Sequence, residues 1–324
     1  MFTTIRKTIK ASIFILLGVI TIIYTSCNSA SSNSNKHNKE LISFKSIQGI
    51  GYTEVQRLQR NGLAINEYGY QLEPQWQINF VSDDSASVYS PIKKRFLNFP
   101  LTRGSDSIFN AARAWLKVKK MNKDSLILEI LKAKNDSIEV NGSKVYMTFY
   151  ADDYIKNVLH SDTGILRRPS RRDTLFVKGI VAKANKDITK AFAARQVVTF
   201  QSRSPQVSVN QERTVPNELN NFDTADDYLG PTFDITINKA YKEFYYSFSV
   251  CVDDKGQMHY VKPLIGFTEE DYKQSYIRLS KQIMETYLKY YLNVKPGTTL
   301  SMPHASVISL HVEGKVAAAE TAKK

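Results

Sequence analysis

The residue types that perform catalysis and bind metals occur in this chain without the spacings that enzymes use. The sequence contains no G-x-S-x-G, H-E-x-x-H, C-x-x-C or Walker loop. The histidines also lack ligand spacing; they are His37, His160, His259, His304 and His311. His259 and His311 fall on expected strands and could approach as a metal pair, but interstrand packing is the simpler interpretation. We therefore predict no catalytic residue, no metal and no cofactor.

Pairs of adjacent aspartates recur along the chain, at Asp83–Asp84, Asp152–Asp153, Asp226–Asp227 and Asp253–Asp254. Two carboxylates can share acid–base catalysis or bind calcium. However, adjacent residues of a strand point to opposite faces, and aspartate is a common turn residue. The pairs are therefore interpreted as turns. The segment FDTADD, residues 222–227, comes closest to a calcium loop but lacks EF-hand spacing.

Two further clusters could bind or react. ILRRPSRRDT places Arg167, Arg168, Arg171 and Arg172 around a proline, and guanidinium groups bind phosphate or carboxylate through paired hydrogen bonds. These arginines are a candidate anion site, with a solvated charged loop as the alternative. SMPHAS, residues 301–306, groups hydroxyls with a histidine, but no orienting acid can be assigned, so a turn is predicted.

The N-terminus predicts export and a lipid anchor. Basic residues within the first ten positions precede an apolar run over residues 11–24, the pattern of a secretory signal. The run is shorter than the roughly 20 residues of a spanning helix. The window from Tyr24 to Cys27 resembles a bacterial lipobox, although Tyr24 replaces the usual leucine. The resemblance implies cleavage before Cys27 and its lipidation. An uncleaved anchor with an incidental cysteine is the alternative.

The residues after Cys27 predict a location. Asn28 follows the cysteine and no acidic run comes after it. In a bacterial lipoprotein, this implies an outer-membrane protein that faces the periplasm of a Gram-negative cell. The Ser-, Asn- and Lys-rich residues 27–39 predict a flexible tether.

Composition favours an ordered body with a basic surface. The apolar fraction of 42% is enough for a sizeable core. The net charge of +13 favours anionic lipid or envelope phosphate as a partner, and the export signal argues against nucleic acid. Cys251 is the second of two cysteines and lies on an alternating strand pattern, so a buried, reduced thiol is predicted.

Periodicity predicts an α+β fold of mixed antiparallel sheets with few helices. Strands are expected at residues 62–72, 76–90, 124–133, 137–151, 173–182 and 196–200, with a turn at Asn141–Gly142 in the fourth of these segments. Helices are expected at residues 106–120 and 187–195. The polar, turn-rich segment 212–230 is the best internal boundary. The predicted organisation is a signal (1–26), a tether (27–39), a mixed domain (40–211), a linker (212–230), a C-terminal domain (231–313) and a tail (314–324).

The C-terminal domain reads as strand–strand–helix–strand. Two strands surround Asp253–Gly256, a helix capped by Thr268 with Asp271 follows, and ASVISLHV, residues 305–312, is the last strand. These elements, with Lys295-Pro296-Gly297, resemble the C-terminal domain of TonB-type energy transducers over about a quarter of the chain. The sequence has no Pro-rich linker and its anchor reads as lipid. The resemblance therefore implies the fold and strand pairing with a partner, without energy transduction.

The sequence as a whole predicts a non-catalytic, lipid-anchored envelope protein. It would bind a protein partner or an envelope component at the periplasmic face of the outer membrane. An envelope enzyme acting on glycan, or a purely structural lipoprotein, are the alternatives. The last strand carries no Lys, Arg, acid or Pro, so Val307, Ile308, Leu310 and His311 are the candidate partner-binding edge, unless this strand is central.

Overall fold

The computed structural model of the protein describes residues 41–134, 137–139, 145–214 and 225–316. The signal, Cys27, the tether, His37 and the turn at Asn141–Gly142 lie outside the described residues. So do most of the tail and residues 222–224 of the FDTADD segment. The described residues form mostly antiparallel sheet with few helices, which confirms the predicted α+β class in outline.

The first part of the chain folds into a nearly closed, barrel-like sheet. Its strands are β1 (Gly51–Gln59), β2 (Gln77–Ser82), β3 (Ser85–Ser90), β4 (Arg95–Pro100), β5 (Thr102–Arg103), β6 (Ile108–Ala111), β7 (Ala114–Met121), β8 (Ser125–Lys134), β9 (Ser137–Glu139) and β10 (Val145–Ala151). The order is β4-β3-β2-β1-β10-β8-β7-β6-β5, with β9 pairing beside β8. Only Leu101 separates the two edge strands β4 and β5, so one bent stretch of chain nearly closes the barrel.

Aromatic side chains fill the barrel. Phe44, from the segment before β1, stacks on Phe80 with ring centroids 4.2 Å apart and meets Phe109 edge-on at 5.0 Å. All three rings are fully buried. The Phe44 backbone N–H donates to Asp83 Oδ1 at 2.6 Å. The N-terminal segment therefore closes the barrel end that carries the β2–β3 turn.

Five strands form the second sheet, in the order β12-β13-β19-β14-β15. The strands of this part are β11 (Thr199–Ser202), β12 (Val207–Gln211), β13 (Thr232–Asn238), β14 (Phe244–Val252), β15 (Met258–Pro263), β16 (Leu292–Lys295), β17 (Thr298–Thr299), β18 (Met302–Pro303) and β19 (Ser306–Lys315). The pair β13–β19 is parallel, whereas β19 pairs antiparallel with β14. The strands around Asp253–Gly256 are thereby confirmed as β14 and β15.

The helices are few and mostly short. They are α1 (Thr163–Leu166), α2 (Arg171–Lys186), α3 (Asp226–Leu229), α4 (Glu270–Ile283) and α5 (Lys289–Tyr291). Single 3-10 turns occupy Lys45–Ile47 and Ile188–Lys190, and π-helical turns occupy Tyr154–Val158 and Met284–Leu288. Ile283 and Leu288 pack with Val250 and Ile308 in the core of the second sheet. The predicted helix after residue 268 is thus present, and one face of it covers that sheet.

Two predicted elements are wrong in type. Residues 106–120, expected as a helix, form the hairpin β6–β7, because Ala112 and Arg113 adopt positive φ angles of 46° and 68° and turn the chain. Residues 173–182, expected as a strand, lie inside α2. Ser170 and Asp173 form a capping box there, and Val177 is buried four residues after Asp173. In both segments, the short apolar runs fit the period of a helix and that of a strand. Tertiary packing decided which of the two forms.

Three other local predictions fail in whole or in part. Residues 62–72 form turns with a single bridge between Ile65 and Gln71 instead of a strand. Thr268 does not cap α4: its N-cap residue is Glu269, which makes no side-chain capping bond. The predicted helix at 187–195 shrinks to the 3-10 turn Ile188–Lys190.

Residues 212–230 do not separate two independent sheets. β12 pairs with β13 in the five-stranded sheet, and β11 pairs with β16 in a separate two-stranded sheet, so both strands before this segment pair with strands that follow it. β19 lies between β13 and β14 and continues to Lys315. Val307, Ile308, Leu310 and His311 therefore lie on a central strand, and the prediction that they form a free edge is wrong.

Candidate functional site

A β-bulge in β1 builds the floor of the candidate site. The pairing register with β10 shifts between Glu54 and Gln56, which leaves Val55 as the extra residue. Bulges interrupt the ladder and re-aim neighbouring groups, and they are frequent beside binding sites. Here the Glu54 carbonyl, a backbone group of the bulged strand, accepts a hydrogen bond from Arg167 Nε at 2.9 Å. The bulge therefore attaches the α1–α2 connection to the barrel.

The Glu54 carboxylate is fully buried and holds the same region together. Arg57 donates to it through Nε and Nη2, each at 2.7 Å. The backbone N–H groups of Gln75 and Trp76 also donate to Glu54 Oε2, at 2.8 and 3.0 Å. A bidentate guanidinium and two backbone donors compensate the desolvation of this charge. They also fix the end of the long β1–β2 connection, residues 60–76.

Asp173 fixes the other side of that connection. Its Oδ1 accepts from the Ala64 backbone N–H at 2.8 Å, and its Oδ2 accepts from Ser170 at the start of α2. Farther along, the Ala193 N–H donates to the Tyr68 carbonyl at 3.1 Å. The β1–β2 connection is therefore held between the barrel and the C-terminal part by carboxylate and backbone bonds.

A pocket of about 50 Å³ lies between β1, this connection and the α1–α2 loop. One wall is apolar and includes Val55, Ile65, Leu72, Pro74, Leu166 and Leu300. The other wall is polar and comprises Gln56, Arg57, Gln71, Arg167, Arg168 and Asp173. Small-molecule sites are typically apolar clefts with a few convergent polar groups, often at the contact of two structural units. A pocket of this volume suits one small polar group.

Two polar groups of this pocket are buried without a partner among the described residues. They are Arg167 Nη2 and Gln71 Oε1. Burial lowers the pKa of Arg167; the charge of Glu54 opposes this effect and that of Arg57 adds to it. An orphaned guanidinium N–H is costly in a protein interior, since buried donors are almost always paired. An anion in the pocket would supply the missing acceptor.

The four arginines singled out in the sequence separate in the structure. Arg167 and Arg168 line the pocket, whereas Arg171 and Arg172 are exposed at the start of α2 and do not line it. Sequence reasoning missed Gln71 and the Glu54–Arg57 pair. Gln71 lies far from the arginines along the chain, and no local pattern marks it.

No protein-family model matches the chain, and no curated protein matches it significantly. The pocket therefore has to be interpreted from its own chemistry. Within the described ranges, no helix is both long and apolar enough to cross a membrane.

Three of the histidines, His259, His304 and His311, have structural partners. His304 is fully buried and stacks on Phe192 at 3.8 Å; its Nδ1 bonds to the Ala305 carbonyl and its Nε2 to Thr299 Oγ1. Burial lowers the pKa of His304, which favours the neutral ring; in that form Nδ1 donates to the Ala305 carbonyl and Nε2 accepts from the Thr299 hydroxyl. The predicted turn at residues 301–306 therefore contains a packed histidine whose two nitrogens are both engaged.

The other candidate ligands are not brought together. His259 bonds to Asp253 at 2.9 Å, and His311 bonds through Nδ1 to Ser247 Oγ at 2.7 Å, on strands separated by β14. No group of three or more potential ligands occurs in the part of the chain that the structure describes. Asp253 also accepts from the Lys255 and Gln257 N–H groups, as expected of a turn residue. These side chains stabilise their own segments.

Cys251 is 1% exposed and packs against Ala184, Phe192 and Ala305. It forms no disulfide within the described residues. Burial, with a smaller effect of Asp253, raises the pKa of its thiol to about 11. The prediction that it is a buried thiol is confirmed.

Proposed function

We propose that this protein is a lipid-anchored envelope protein that binds, without transforming, an anionic envelope component in the pocket beside Arg167. One observation carries the proposal: Arg167 Nη2 is buried in a pocket and lacks an acceptor among the described residues. Hydrogen bonds between ionised partners are about twice as strong as neutral ones. A carboxylate that approaches Arg167 would therefore convert an unfavourable burial into a strong contact.

The pocket also defines the ligand's neighbouring atoms. Gln71 Oε1 needs a donor, so an N–H or O–H group close to the carboxylate would satisfy it. The apolar wall formed by Ile65, Leu72 and Leu166 favours carbon atoms beside these polar groups. Because the enclosed volume is only about 50 Å³, we propose that the pocket takes the carboxylate end of a larger component rather than a whole cofactor.

The cellular setting of the proposal rests on the sequence. The signal, the lipobox-like window and Cys27 support lipidation and a place at the periplasmic face of the outer membrane. The order β14, turn, β15, α4 and β19 supports the likeness of the C-terminal part to the TonB C-terminal domain. In this proposal that likeness concerns the fold, since β19 is central and offers no free edge.

A glycan-acting enzyme would need two carboxylates that converge on a cleft about 5–10 Å apart. The carboxylates nearest the pocket are Glu54 and Asp173. Glu54 accepts four hydrogen bonds and Asp173 accepts three, all from the protein itself. Carboxylates whose oxygens are already hydrogen-bonded to the protein are better suited to stabilising the pocket than to transferring protons. The geometry therefore favours binding over catalysis.

The test compares Arg167→Met with Arg171→Met. Arg171 belongs to the same arginine cluster but is exposed and outside the pocket, so it is the matched control. The binding of acetate, lactate and inorganic phosphate is measured by isothermal titration calorimetry. Circular dichroism verifies that each variant is folded. Loss of a charged hydrogen bond of about 1.5–3 kcal/mol weakens binding by roughly 10- to 100-fold.

We expect that loss for lactate with Arg167→Met and little change with Arg171→Met. Lactate should bind more tightly than acetate, since its hydroxyl can donate to Gln71. Equal binding by the native protein and a folded Arg167→Met variant would contradict the proposal.

A further inference from the structure

The hairpin tip between β3 and β4 exposes apolar and basic side chains together. This tip, residues 91–96, has the sequence Pro-Ile-Lys-Lys-Arg-Phe, and every residue in it is exposed. Ile92 is 45% exposed and Phe96 is 50% exposed. Phe96 is held in place by an edge-on contact with Tyr89, at 5.4 Å between ring centroids. Lys94 adopts a positive φ of 50°, which turns the chain at the tip.

The barrel is electrically asymmetric along its axis. Its antiparallel order places the β3–β4 tip and the β6–β7 turn, with Arg113, at one end. The opposite end carries Asp83, Asp84, Asp106, Asp124, Asp152 and Asp153 at its turns and strand ends, and these outnumber the cations Lys45, Arg103 and Lys123 there, although Arg103 pairs with Asp83 and Asp84 at 3.4 and 3.1 Å. A surface of negative potential would attract the basic end and repel the acidic end. The asymmetry would therefore orient the barrel with the β3–β4 tip toward such a surface.

We propose that this tip is a docking site for an anionic lipid surface. Ile92 and Phe96 enter the boundary between headgroups and acyl chains, while Lys94 and Arg95 bind lipid phosphates. Apolar side chains flanked by Lys and Arg suit an interface that offers hydrocarbon and negative charge at once. A nucleic acid would account for the cations but would leave the exposed Ile92 without an apolar partner, and the vesicle experiment below separates a lipid surface from a protein partner.

The docking tip is compatible with an anchor at Cys27, although it does not depend on one. The first described residues enter at the acidic end, beside Asp83. That end is separated from the tip by the height of β3, six residues or about 20 Å. The tether predicted from the sequence of residues 27–39 would have a mean reach of roughly 20 Å. Both contacts with one bilayer can therefore form together, with the tip toward the surface and the acidic end about 20 Å away from it.

The experiment uses the chain from residue 27 onward with Cys27→Ser, so that no acyl group contributes to binding. Co-sedimentation is measured with phosphatidylcholine vesicles and with vesicles that also contain phosphatidylglycerol. The charge variant is Lys94→Glu with Arg95→Glu, and the apolar variant is Ile92→Ser with Phe96→Ser. The matched control is Leu175→Ser with Lys178→Glu and Lys183→Glu on α2, which removes an exposed leucine and reverses two exposed lysines, the same change of net charge as in the charge variant.

The native chain should bind the phosphatidylglycerol vesicles much more tightly than the neutral ones. Each basic residue at such a surface contributes about five-fold, so the charge variant should bind at least roughly 25-fold more weakly. The apolar variant should lose the part of the binding that persists at high salt, and the control should bind within about two-fold of the native chain. Circular dichroism verifies that each variant is folded.

Unchanged vesicle binding by either folded tip variant would overturn the proposal. So would an equal loss in the control, which would assign the effect to net charge, or the absence of native binding to phosphatidylglycerol vesicles. Tip variants that keep vesicle binding but lose a co-purifying protein would show that a protein is the partner, and would also overturn it. These outcomes are independent of Arg167, so the pocket and the tip are tested separately.

Discussion

Replacing Glu54 with alanine should destabilise the barrel more than any other single loss of a carboxylate that the structure describes. The side chain is fully buried, and its two oxygens accept four hydrogen bonds. Alanine would leave the guanidinium of Arg57, only 16% exposed, without its carboxylate. It would also leave the N–H groups of Gln75 and Trp76 without their acceptor.

The expected magnitude follows from these orphaned groups. Removing one partner of a buried ion pair costs about 3–5 kcal/mol, because the other charge stays buried. Leaving the two backbone N–H groups without an acceptor costs about 1–3 kcal/mol each, which adds up to a loss of similar size. Glu54→Gln keeps an acceptor for the backbone but loses the charge opposite Arg57, so about 2 kcal/mol is expected.

Urea unfolding measures these losses, and the fluorescence of Trp76, beside Glu54, reports on the barrel. With a denaturant slope of about 2 kcal/mol/M, Glu54→Ala should lower the midpoint by roughly 1.5–2.5 M. Glu129→Ala is the control, because Glu129 is also buried in the barrel but forms a looser pair with the half-exposed Lys119, at 3.5 Å. Its loss should cost about 1 kcal/mol or less.

The double variant with Arg57→Ala completes a thermodynamic cycle. The two single losses should be strongly non-additive, since each removes the same pair. Additive losses, or a Glu54→Ala midpoint no lower than that of Glu129→Ala, would refute the assignment of Glu54 as the anchor of this region.

Three further predictions address the second sheet. Burial lowers the pKa of His304 below 6.5, so the unfolded chain takes up the proton first. The free energy of unfolding should therefore fall as the pH drops through 6.5, and His304→Gln should flatten this dependence in urea titrations at several pH values. Cys251, with a thiol pKa of about 11, should resist alkylation in the native protein and react fully in denaturant; rapid native labelling would contradict its burial. Leu310→Pro interrupts a central strand paired with Phe233 and Phe248, and should cost about 3 kcal/mol or more by thermal unfolding; an unchanged melting temperature would show that β19 is not central.

Elements with a local cause could be predicted from the sequence. The hairpin around Asp83–Asp84 and the hairpin around Asp253–Gly256 are marked by turn residues between alternating apolar positions. The helix after residue 268 has an apolar face at helical spacing. In each case the signal and the structure it predicts lie within the same short segment.

Elements that depend on distant neighbours could not be predicted from the sequence. The hairpin β6–β7 was predicted as a helix and the helix α2 as a strand, because their short apolar runs fit both the helical and the strand period. Intrinsic helix and strand propensities differ by less than about 1 kcal/mol per residue, which is too little to decide between them. The position of β19 follows from its parallel pairing with β13, far away in the chain. No residue within ASVISLHV indicates that partner.

The candidate site shows the same division. The sequence by itself marked the arginines around Pro169 as an anion site, because clustered guanidiniums bind anions wherever they are accessible. Only the tertiary structure decided that Arg167 is the member whose Nη2 is buried, since the β1 bulge, Gln71 and the β1–β2 connection come from more than ninety residues away. The charge of a side chain is a local property, whereas its burial and its missing partner are created by the segments that fold around it.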